Sequence, residues 1–373
     1  MTEPRLENTV KQERERLGLS QQALAERVGV SRQAIVAIEA ARQVPSTVLG
    51  LRIARALRSR VEDLFRLSTE GGLAARVAPR EVGSSSVPAG TRVALGEVAG
   101  RWIAHRLQAD ATHAADGVLA SEASDRTAVV RPLAELSLLR RNVLVAGCAP
   151  LLGALAQHVG GRSGDARATW LAAGSTRALD LLRDGLVHVA GVHVGGAPDQ
   201  EDNAALVRRI LPDTRTLLVN LTRWRLGLVL PAGNPLGIRS GADLLRPGLR
   251  LARREQGTGA DKLVRALAAA EGIERPVFPG PFAGGHVEVA QLVRCGAADV
   301  GVAIESVALA DGLAFVPLVE ERFDLVVPAH LASEMPVARM IDALADPSFR
   351  ADARELPGYD IESCGHVTTL EAA

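Results

Sequence analysis

Aromatic residues are scarce in this chain of 373 residues, in which Phe, Trp and Tyr together make up 3%. Its cores must therefore be built from aliphatic side chains, mainly Ala, Val and Leu. No stretch approaches the roughly 18 uninterrupted apolar residues that a membrane span requires. Residues 1–11 are polar and charged, unlike a signal peptide. We therefore expect a cytoplasmic protein with no membrane partner.

Cysteine is also rare. Cys148, Cys295 and Cys364 are odd in number and widely spaced, and no C-x-x-C pair occurs. This pattern argues against a disulfide framework and against a zinc knuckle. The sequence therefore predicts neither a metal site nor a cofactor.

An excess of charge of either sign is absent, because the formal net charge is zero. This balance argues against a chain that coats nucleic acid. Residues 1–67, however, hold twelve basic and eight acidic residues, a local charge of +4. Such a local excess is typical of a small DNA-binding unit attached to a neutral body.

The length exceeds that of a single core, so we expect more than one domain. Residues 1–67 are predicted to form an all-α unit of short helices. Residues 68–140 are predicted to be a linker rich in Gly, Ser and Pro, followed by a small β-rich connector. Residues 141–373 alternate between strand and helix patterns, which predicts a mainly parallel, doubly wound α/β domain.

Two consecutive short helices stand out within residues 20–39. Ser20 and Ser31 are suited to cap their N-termini, and Gly29 can supply the positive φ of the tight turn between them. The second helix carries Arg32 and Gln33 near its N-terminal end. Arg and Gln side chains can bond guanine and adenine edges bidentately, so this helix is predicted to read DNA.

These residues resemble the Xre/Cro-type helix-turn-helix family over residues 5–66. The resemblance implies that Arg32 and Gln33 contact bases, while Gln21 and Arg42 contact phosphates. It also implies a homodimer on a pseudo-palindromic site, because one small module buries little DNA surface. The full set of predicted contacts to double-stranded DNA is Gln21, Ser31, Arg32, Gln33, Ala37 and Arg42.

Three strand-to-helix junctions in the C-terminal half share one character. They lie at residues 147–150, 174–176 and 256–259, and each places glycine with small or hydroxyl side chains at a helix start. Backbone N–H groups and the helix dipole favour ligands at such ends. In open α/β sheets ligands bind at these carboxyl-end loops. We therefore expect a binding cleft there.

Residues 141–330 resemble the periplasmic-binding-protein-like domain that is fused to helix-turn-helix regulators and is related to molybdate-type binding proteins. The matching stretches include residues 145–150, 189–193, 254–259 and 296–302. The resemblance implies a bilobal type II fold, with crossover strands expected near residues 226–231 and 304–309. Molybdate-type binders use a tyrosine where this sequence has Ile304, which speaks against molybdate or tungstate.

Two histidines and one acidic residue are further candidates for the cleft. His193 ends a predicted strand, and His286 precedes a predicted helix over residues 288–295. A structural role is the alternative for each histidine, and packing is the preferred interpretation of Trp170 and Trp224. The full set of predicted ligand-binding residues is Cys148, Ala149, Gly174, Ser175, Thr176, His193, Gln256, Gly257, Thr258, Gly259, His286 and Glu305.

Taken together, the sequence predicts a ligand-responsive transcriptional regulator with a small molecule or oxyanion as effector. Two alternatives remain open, namely a redox-sensing regulator that acts through Cys148 and a DNA-binding scaffold that senses nothing. An enzyme is not expected. Cys148, His193 and Glu305 could be arranged as a nucleophile, a base and an orienting group, but no nucleophile elbow, H-E-x-x-H or P-loop pattern is present.

Overall fold

A computed structural model describes residues 5–68, 72–79, 87–107, 114–123, 126–162, 164–194, 202–274 and 276–372. The chain divides into two compact units, Met1–Leu73 and Ala74–Ala373. Parts of residues 68–140, which were predicted to form the linker and the connector, lie outside the described residues. Contacts place the predicted connector and the α/β domain in the same unit, so no boundary between compact units falls at residue 140.

The N-terminal unit is a bundle of short helices closed by a pair of strands. Its elements are β1 (Arg5–Asn8), α1 (Val10–Arg16), α2 (Gln21–Val28), α3 (Arg32–Glu39), α4 (Thr47–Ala56), α5 (Val61–Leu64) and β2 (Phe65–Ser68). The strands β1 and β2, which the sequence did not predict, pair antiparallel. Aliphatic side chains from the helices form the core, among them Leu24, Ile35, Ile38 and Ile53.

The helix-turn-helix within this unit follows from local sequence signals. The Ser20 and Ser31 hydroxyls accept hydrogen bonds from the backbone N–H groups of Ala23 and Ala34, which satisfies donors that have no partner inside the helices. Gly29 ends α2 with φ of 74°, a conformation that favours glycine. The predicted caps and turn are confirmed.

A five-stranded barrel follows in the second unit. Its strands are β3 (Leu73–Val77), β4 (Arg92–Val98), β5 (Arg101–Arg106), β6 (Gly117–Leu119) and β7 (Thr127–Pro132). They close in the order β3-β5-β4-β6-β7. Buried Asp116 accepts hydrogen bonds from the Leu95 backbone, from Asn142 and from Arg167. These bonds join the barrel to the first strands of the α/β part.

The α/β part contains the remaining elements. Its helices are α6 (Leu136–Leu139), α7 (Leu151–Arg162), α8 (Ser175–Arg183), α9 (Asn203–Ile210), α10 (Gly259–Ala270), α11 (His286–Arg294), α12 (Glu305–Ala310), α13 (Ala329–Ala332), α14 (Met335–Ala343) and α15 (Pro347–Glu355). Its strands are β8 (Asn142–Gly147), β9 (Arg167–Ala172), β10 (Val189–Val192), β11 (Thr216–Leu230), β12 (Leu251–Ala252), β13 (Val300–Ile304), β14 (Ala314–Pro328), β15 (Tyr359–Asp360) and β16 (Val367–Leu370).

Two long antiparallel strands, β11 and β14, run through both lobes. The strand order is β12-β13-β11-β14-β10-β8-β9, with β15 and β16 also paired to β11. We call the part built on β8, β9 and β10 the first lobe and the part built on β12 and β13 the second lobe. Parallel pairs lie at β8–β9, β8–β10 and β12–β13, whereas β10–β14, β11–β13 and β11–β14 pair antiparallel. The sheet is therefore mixed, and the prediction of a mainly parallel sheet is wrong.

The crossover expected at residues 304–309 is wrong, because α12 occupies most of that segment and β14 makes the second crossover. In place of each crossover strand the sequence predicts two short strands, at residues 216–220 and 226–231 for β11 and at residues 314–317 and 324–327 for β14. The register between them shifts at Asn220/Thr222 and at Leu226/Gly227. Trp224 and Glu321 lie directly opposite each other between those two shifts. No helix in the described ranges is both long and apolar enough to cross a membrane.

Candidate functional site

The predicted DNA-reading residues lie on one end of α3. Arg32 and Gln33 are exposed in its first turn, and Ser31 caps it, while Ile35 and Ile38 on the opposite face are buried. Ala37 is half-buried and Arg42 is exposed beyond the helix end. The helix therefore presents long polar side chains at its N-terminal end and keeps its apolar side in the core.

A buried ion pair fixes α3 against α1 and α2. The Arg14 guanidinium donates to Glu39 at 2.6 Å, and the Gln21 amide donates to the same carboxylate at 2.9 Å. Burial alone would raise the pKa of Glu39, but the hydrogen bonds from Arg14 and Gln21 lower it below its ordinary value. Gln21, which was predicted to contact phosphate, is therefore also hydrogen-bonded inside the N-terminal unit.

A cluster of three possible ligating side chains lies between the two lobes of the second unit. Cys148 follows β8, His193 follows β10, and His286 begins α11, so two residues come from the first lobe and one from the second. Their ligating atoms all lie within 4.8 Å of one another. We call Cys148, His193 and His286 the interlobe cluster.

His193 is held by a chain of hydrogen bonds from the crossover strands. Its Nδ1 donates to the Glu321 carboxylate at 2.7 Å, and the Trp224 indole N–H donates to the same oxygen at 3.1 Å. Burial disfavours the charged imidazole, but the neighbouring Cys148 and Glu321 together raise the pKa of His193 to about 10. The Ser175 hydroxyl donates to the His193 carbonyl oxygen and so ties this strand end to the start of α8.

Two residues that the second lobe contributes to the site have buried polar atoms without a hydrogen-bond partner in the described part of the chain. His286 is 3% exposed, and neither of its ring nitrogens has a hydrogen-bond partner among the described residues. Burial, together with the charges of Arg254 and His193, holds the pKa of His286 well below its usual range. Arg254 is 9% exposed, and its Nε and Nη1 likewise lack partners in the described part of the chain.

Both lobes contribute to a small cavity at the cluster. Its lining residues are Cys148, Gly174, Ser175, His193, Arg254, Thr258, Gly259, Ala260 and His286. The cavity volume is about 10 Å³, which corresponds to about one water molecule. Buried polar groups without partners cost free energy, so this arrangement favours a small polar ligand or an ion.

Comparison with known proteins shows which families the two parts of the chain match. A family model described as PBP superfamily domain matches residues 156–345. The chain belongs to this PBP superfamily. A second model, described as helix-turn-helix, matches residues 10–64. The chain therefore joins an Xre-type helix-turn-helix domain to a PBP-like domain, as the sequence predicted.

Relatives resemble the two parts separately. YvgK of Bacillus subtilis is 29% identical over 196 residues, which are 52% of this chain and 63% of YvgK. The chain thus spans less than two thirds of that relative. An HTH-type transcriptional regulator of Methanothermobacter thermautotrophicus is 52% identical over 63 residues, 17% of this chain and 91% of that protein.

Among solved structures, a phosphate ABC transporter substrate-binding protein from Clostridium perfringens with bound phosphate is 14% identical, with a TM-score of 0.45. It is matched over 59% of this chain and 98% of its own. The effector-binding domain of QuiR in complex with shikimate is also 14% identical, with a TM-score of 0.40. That match covers 58% of this chain and 98% of the QuiR domain.

Within the PBP-like domain, seven of the predicted ligand-binding residues line the cavity and five do not. The seven are Cys148, Gly174, Ser175, His193, Thr258, Gly259 and His286. Ala149 is buried in the core and Thr176 is exposed. The Gly257 N–H donates to Asp261, and Gln256 lines a separate groove of about 340 Å³. Glu305 accepts two hydrogen bonds from Arg225, at 2.7 and 2.6 Å.

Several residues of the PBP-like site were not predicted from the sequence. Arg254 and Glu321 are charged residues that become buried only through tertiary contacts, and Trp224 is both a core residue and a partner of Glu321. Tyr359 is not among the predicted ligand-binding residues, and it lies near the C-terminus. The strand β15 nevertheless pairs with β11 and brings the Tyr359 ring to 6.2 Å from that of Trp224. Burial raises the pKa of Tyr359 to about 12.

Proposed function

We propose that the chain is a cytoplasmic, ligand-responsive transcriptional regulator that binds double-stranded DNA. In this proposal α3 enters the major groove and a small effector binds in the interlobe cavity. The observation that carries the proposal is the exposure of Arg32 and Gln33 at the N-terminal end of α3, above a buried apolar face. This is the end of a recognition helix that contacts base edges.

The DNA-bound form is proposed to be a homodimer on a pseudo-palindromic site. One helix-turn-helix module reads only a few base pairs, and two modules related by two-fold symmetry read half-sites one helical turn apart. Ser31 and Ala37 border the base-reading residues, and Gln21 and Arg42 contact phosphates. A two-fold symmetric consensus among DNA sites selected by the full chain would support this arrangement.

Effector binding is proposed to act through the two lobes. Because residues from both lobes line the cavity, a ligand there makes contacts that depend on the distance between the lobes. It changes DNA affinity only to the extent that its own affinity differs between the DNA-competent and DNA-incompetent states.

Arg32→Ala and Gln33→Ala are expected to weaken specific DNA binding. Loss of a bidentate base contact costs about 1–3 kcal/mol, which corresponds to about a 5- to 150-fold lower affinity and relaxed specificity at one position. The measurement is fluorescence anisotropy on a site selected from random DNA by the full chain. It is compared with a scrambled duplex at the same salt concentration.

Arg55→Ala is the matched control, because Arg55 is an exposed arginine on α4, outside the predicted set. Arg42→Ala should instead weaken binding to both duplexes and reduce the salt dependence by about one counterion. If both α3 variants bind the selected site as tightly as the Arg55→Ala protein, α3 is not the recognition helix.

A further inference from the structure

The interlobe cluster has the ligand types and the spacing of a transition-metal site. One cysteine sulfur and two imidazole nitrogens suit zinc and copper ions better than magnesium or calcium. In a tetrahedral zinc site the ligand atoms are about 3.4–3.6 Å apart, given the usual Zn–N and Zn–S lengths. The atoms of Cys148, His193 and His286 already lie within 4.8 Å of one another, so small side-chain rotations would close the site.

The hydrogen bonds around the cluster orient one histidine for a metal. Because His193 Nδ1 is bonded to Glu321, Nε2 is the nitrogen that can bind an ion, and it releases its proton when it does so. Metal-bound histidines generally donate their other nitrogen to a carboxylate or carbonyl group in this way. Glu321 is itself fixed by the Trp224 indole. No sequence motif indicated these supporting hydrogen bonds of Glu321, which the structure contains.

His286 gives the second, independent observation. Its imidazole is buried at 3% exposure, and neither nitrogen has a partner among the described residues. An imidazole that only packed in the core would be expected to make at least one hydrogen bond. Coordination of an ion would satisfy one nitrogen, since neutral imidazole binds metals through its lone pair.

Arg254 determines what else the site requires. Its guanidinium lines the same cavity, and two of its nitrogens lack partners in the described part of the chain. A divalent ion bound by one thiolate and two neutral imidazoles still has a net positive charge, so the Arg254 guanidinium would repel it. Three protein ligands leave a fourth position open, and an anion bound there would pair with Arg254.

We propose that Cys148, His193 and His286 bind a zinc- or copper-type transition-metal ion between the lobes, with an anion at the fourth position against Arg254. The ion is the effector of the regulator, and this role rests on the function proposed above. Cys148 and His193 belong to the first lobe and His286 to the second. Coordination therefore joins the lobes directly.

The test uses the full chain, freed of metal with a chelator and kept reduced with a phosphine, and titrated with Zn²⁺ and Co²⁺. We expect one ion per chain by calorimetry. The cobalt form should show sulfur-to-metal charge transfer and the intense visible bands of tetrahedral coordination. Zn²⁺ should also change the affinity for the selected DNA site.

Variants assign the ligands. Cys148→Ser should abolish the charge-transfer band, and His286→Ala should lower metal affinity by more than 100-fold. Glu321→Gln, which alters a positioning residue, should lower it by about 10- to 100-fold. Cys295→Ser and His330→Ala are matched controls on exposed residues. Circular dichroism without metal verifies folding, and His286→Gln replaces His286→Ala if that variant does not fold.

The outcomes separate the two proposals. If no ion binds, or if Cys148→Ser keeps the cobalt spectrum, the metal site is overturned. A melting-temperature shift by phosphate, together with no shift by Zn²⁺ or Co²⁺, would overturn the metal site and leave the regulator intact. Stoichiometric metal binding with unchanged DNA affinity would overturn the effector role alone. Loss of DNA binding only on thiol oxidation would favour redox sensing and also overturn the effector role.

Discussion

Asp324→Ala is expected to be among the most destabilising single substitutions in the second unit. Asp324 is 1% exposed and lies in β14 beside the crossover. Its carboxylate accepts hydrogen bonds from Asn203 at 2.8 Å, from Asn220 at 3.1 Å and from Arg322 at 2.6 Å. Removing one partner of a buried charged network leaves the others unpaired and costs about 3–5 kcal/mol.

The free energy of unfolding should fall by that amount in urea titrations followed by tryptophan emission. All three tryptophans, Trp102, Trp170 and Trp224, lie in the second unit, so the signal reports on this unit. Asp324→Asn keeps one acceptor oxygen and should lose less.

Asp342→Ala is the matched control. Its carboxylate lies 4.0 Å from Arg339 and is 71% exposed, and such surface pairs contribute little. A loss below about 1 kcal/mol for Asp324→Ala, similar to that of the control, would show that the network does not stabilise the crossover.

The helix-turn-helix could be predicted from the sequence because its determinants are local. Ser20, Gly29 and Ser31 act on residues within one turn of themselves, and the structure shows all three in those roles. The ion pair between Arg14 and Glu39 could not be predicted in the same way. It spans 25 residues, and nothing in the pattern of charged residues identifies the partner.

The crossover strands were divided in the prediction because their middle segments are polar. In β11, Arg223 and Arg225 are exposed while Thr222 and Trp224 are buried, an alternation that is typical of a strand. In β14, residues 320–322 are all charged. Glu321 is nevertheless buried because His193 and Trp224 bond it.

The candidate site was predicted only in part, because some of its determinants are local and others are tertiary contacts. Cys148, His193 and His286 follow strand ends or begin helices, so each could be proposed individually. Their convergence depends on the closure of two lobes, and residues 148 and 286 are far apart in sequence. Arg254 is missed because an arginine is normally exposed, and only the fold shows that it is buried.

Acidification is expected to destabilise the second unit through two buried histidines at the junction of the barrel with the α/β part. His188 Nδ1 accepts from the Leu144 N–H at 2.9 Å, and its Nε2 donates to the Glu97 carbonyl at 3.0 Å. This arrangement requires the neutral ring, because a proton on Nδ1 would point at the Leu144 N–H. Burial lowers the pKa of His188 to about 4, against an ordinary value of 6.5.

His105 adds a second group with the same sign. It bonds the Leu186 carbonyl at 2.7 Å, and burial, with smaller effects of Arg177 and His188, lowers its pKa to about 4. For each histidine the unfolded chain takes up a proton near pH 6.5 and the folded chain only near pH 4. The stabilisation is therefore complete above pH 6.5 and is lost as the pH falls, by about 3 kcal/mol per group.

Urea titrations between pH 7.5 and pH 4.5 measure this loss, and the slope of stability against pH identifies its source. His188→Gln lowers stability at every pH but should remove about 1.4 kcal/mol per pH unit from the slope. His330→Gln, at an exposed position, should leave the slope unchanged. His193 has a raised pKa, so its stabilisation is complete below pH 6.5 and declines as the pH rises above that value. The slopes are therefore compared below pH 6.5, where His193 adds nothing to them. An unchanged slope in both His188→Gln and His105→Gln would mean that the acid sensitivity arises elsewhere, because neither neutral ring would then be required by the hydrogen bonds it makes.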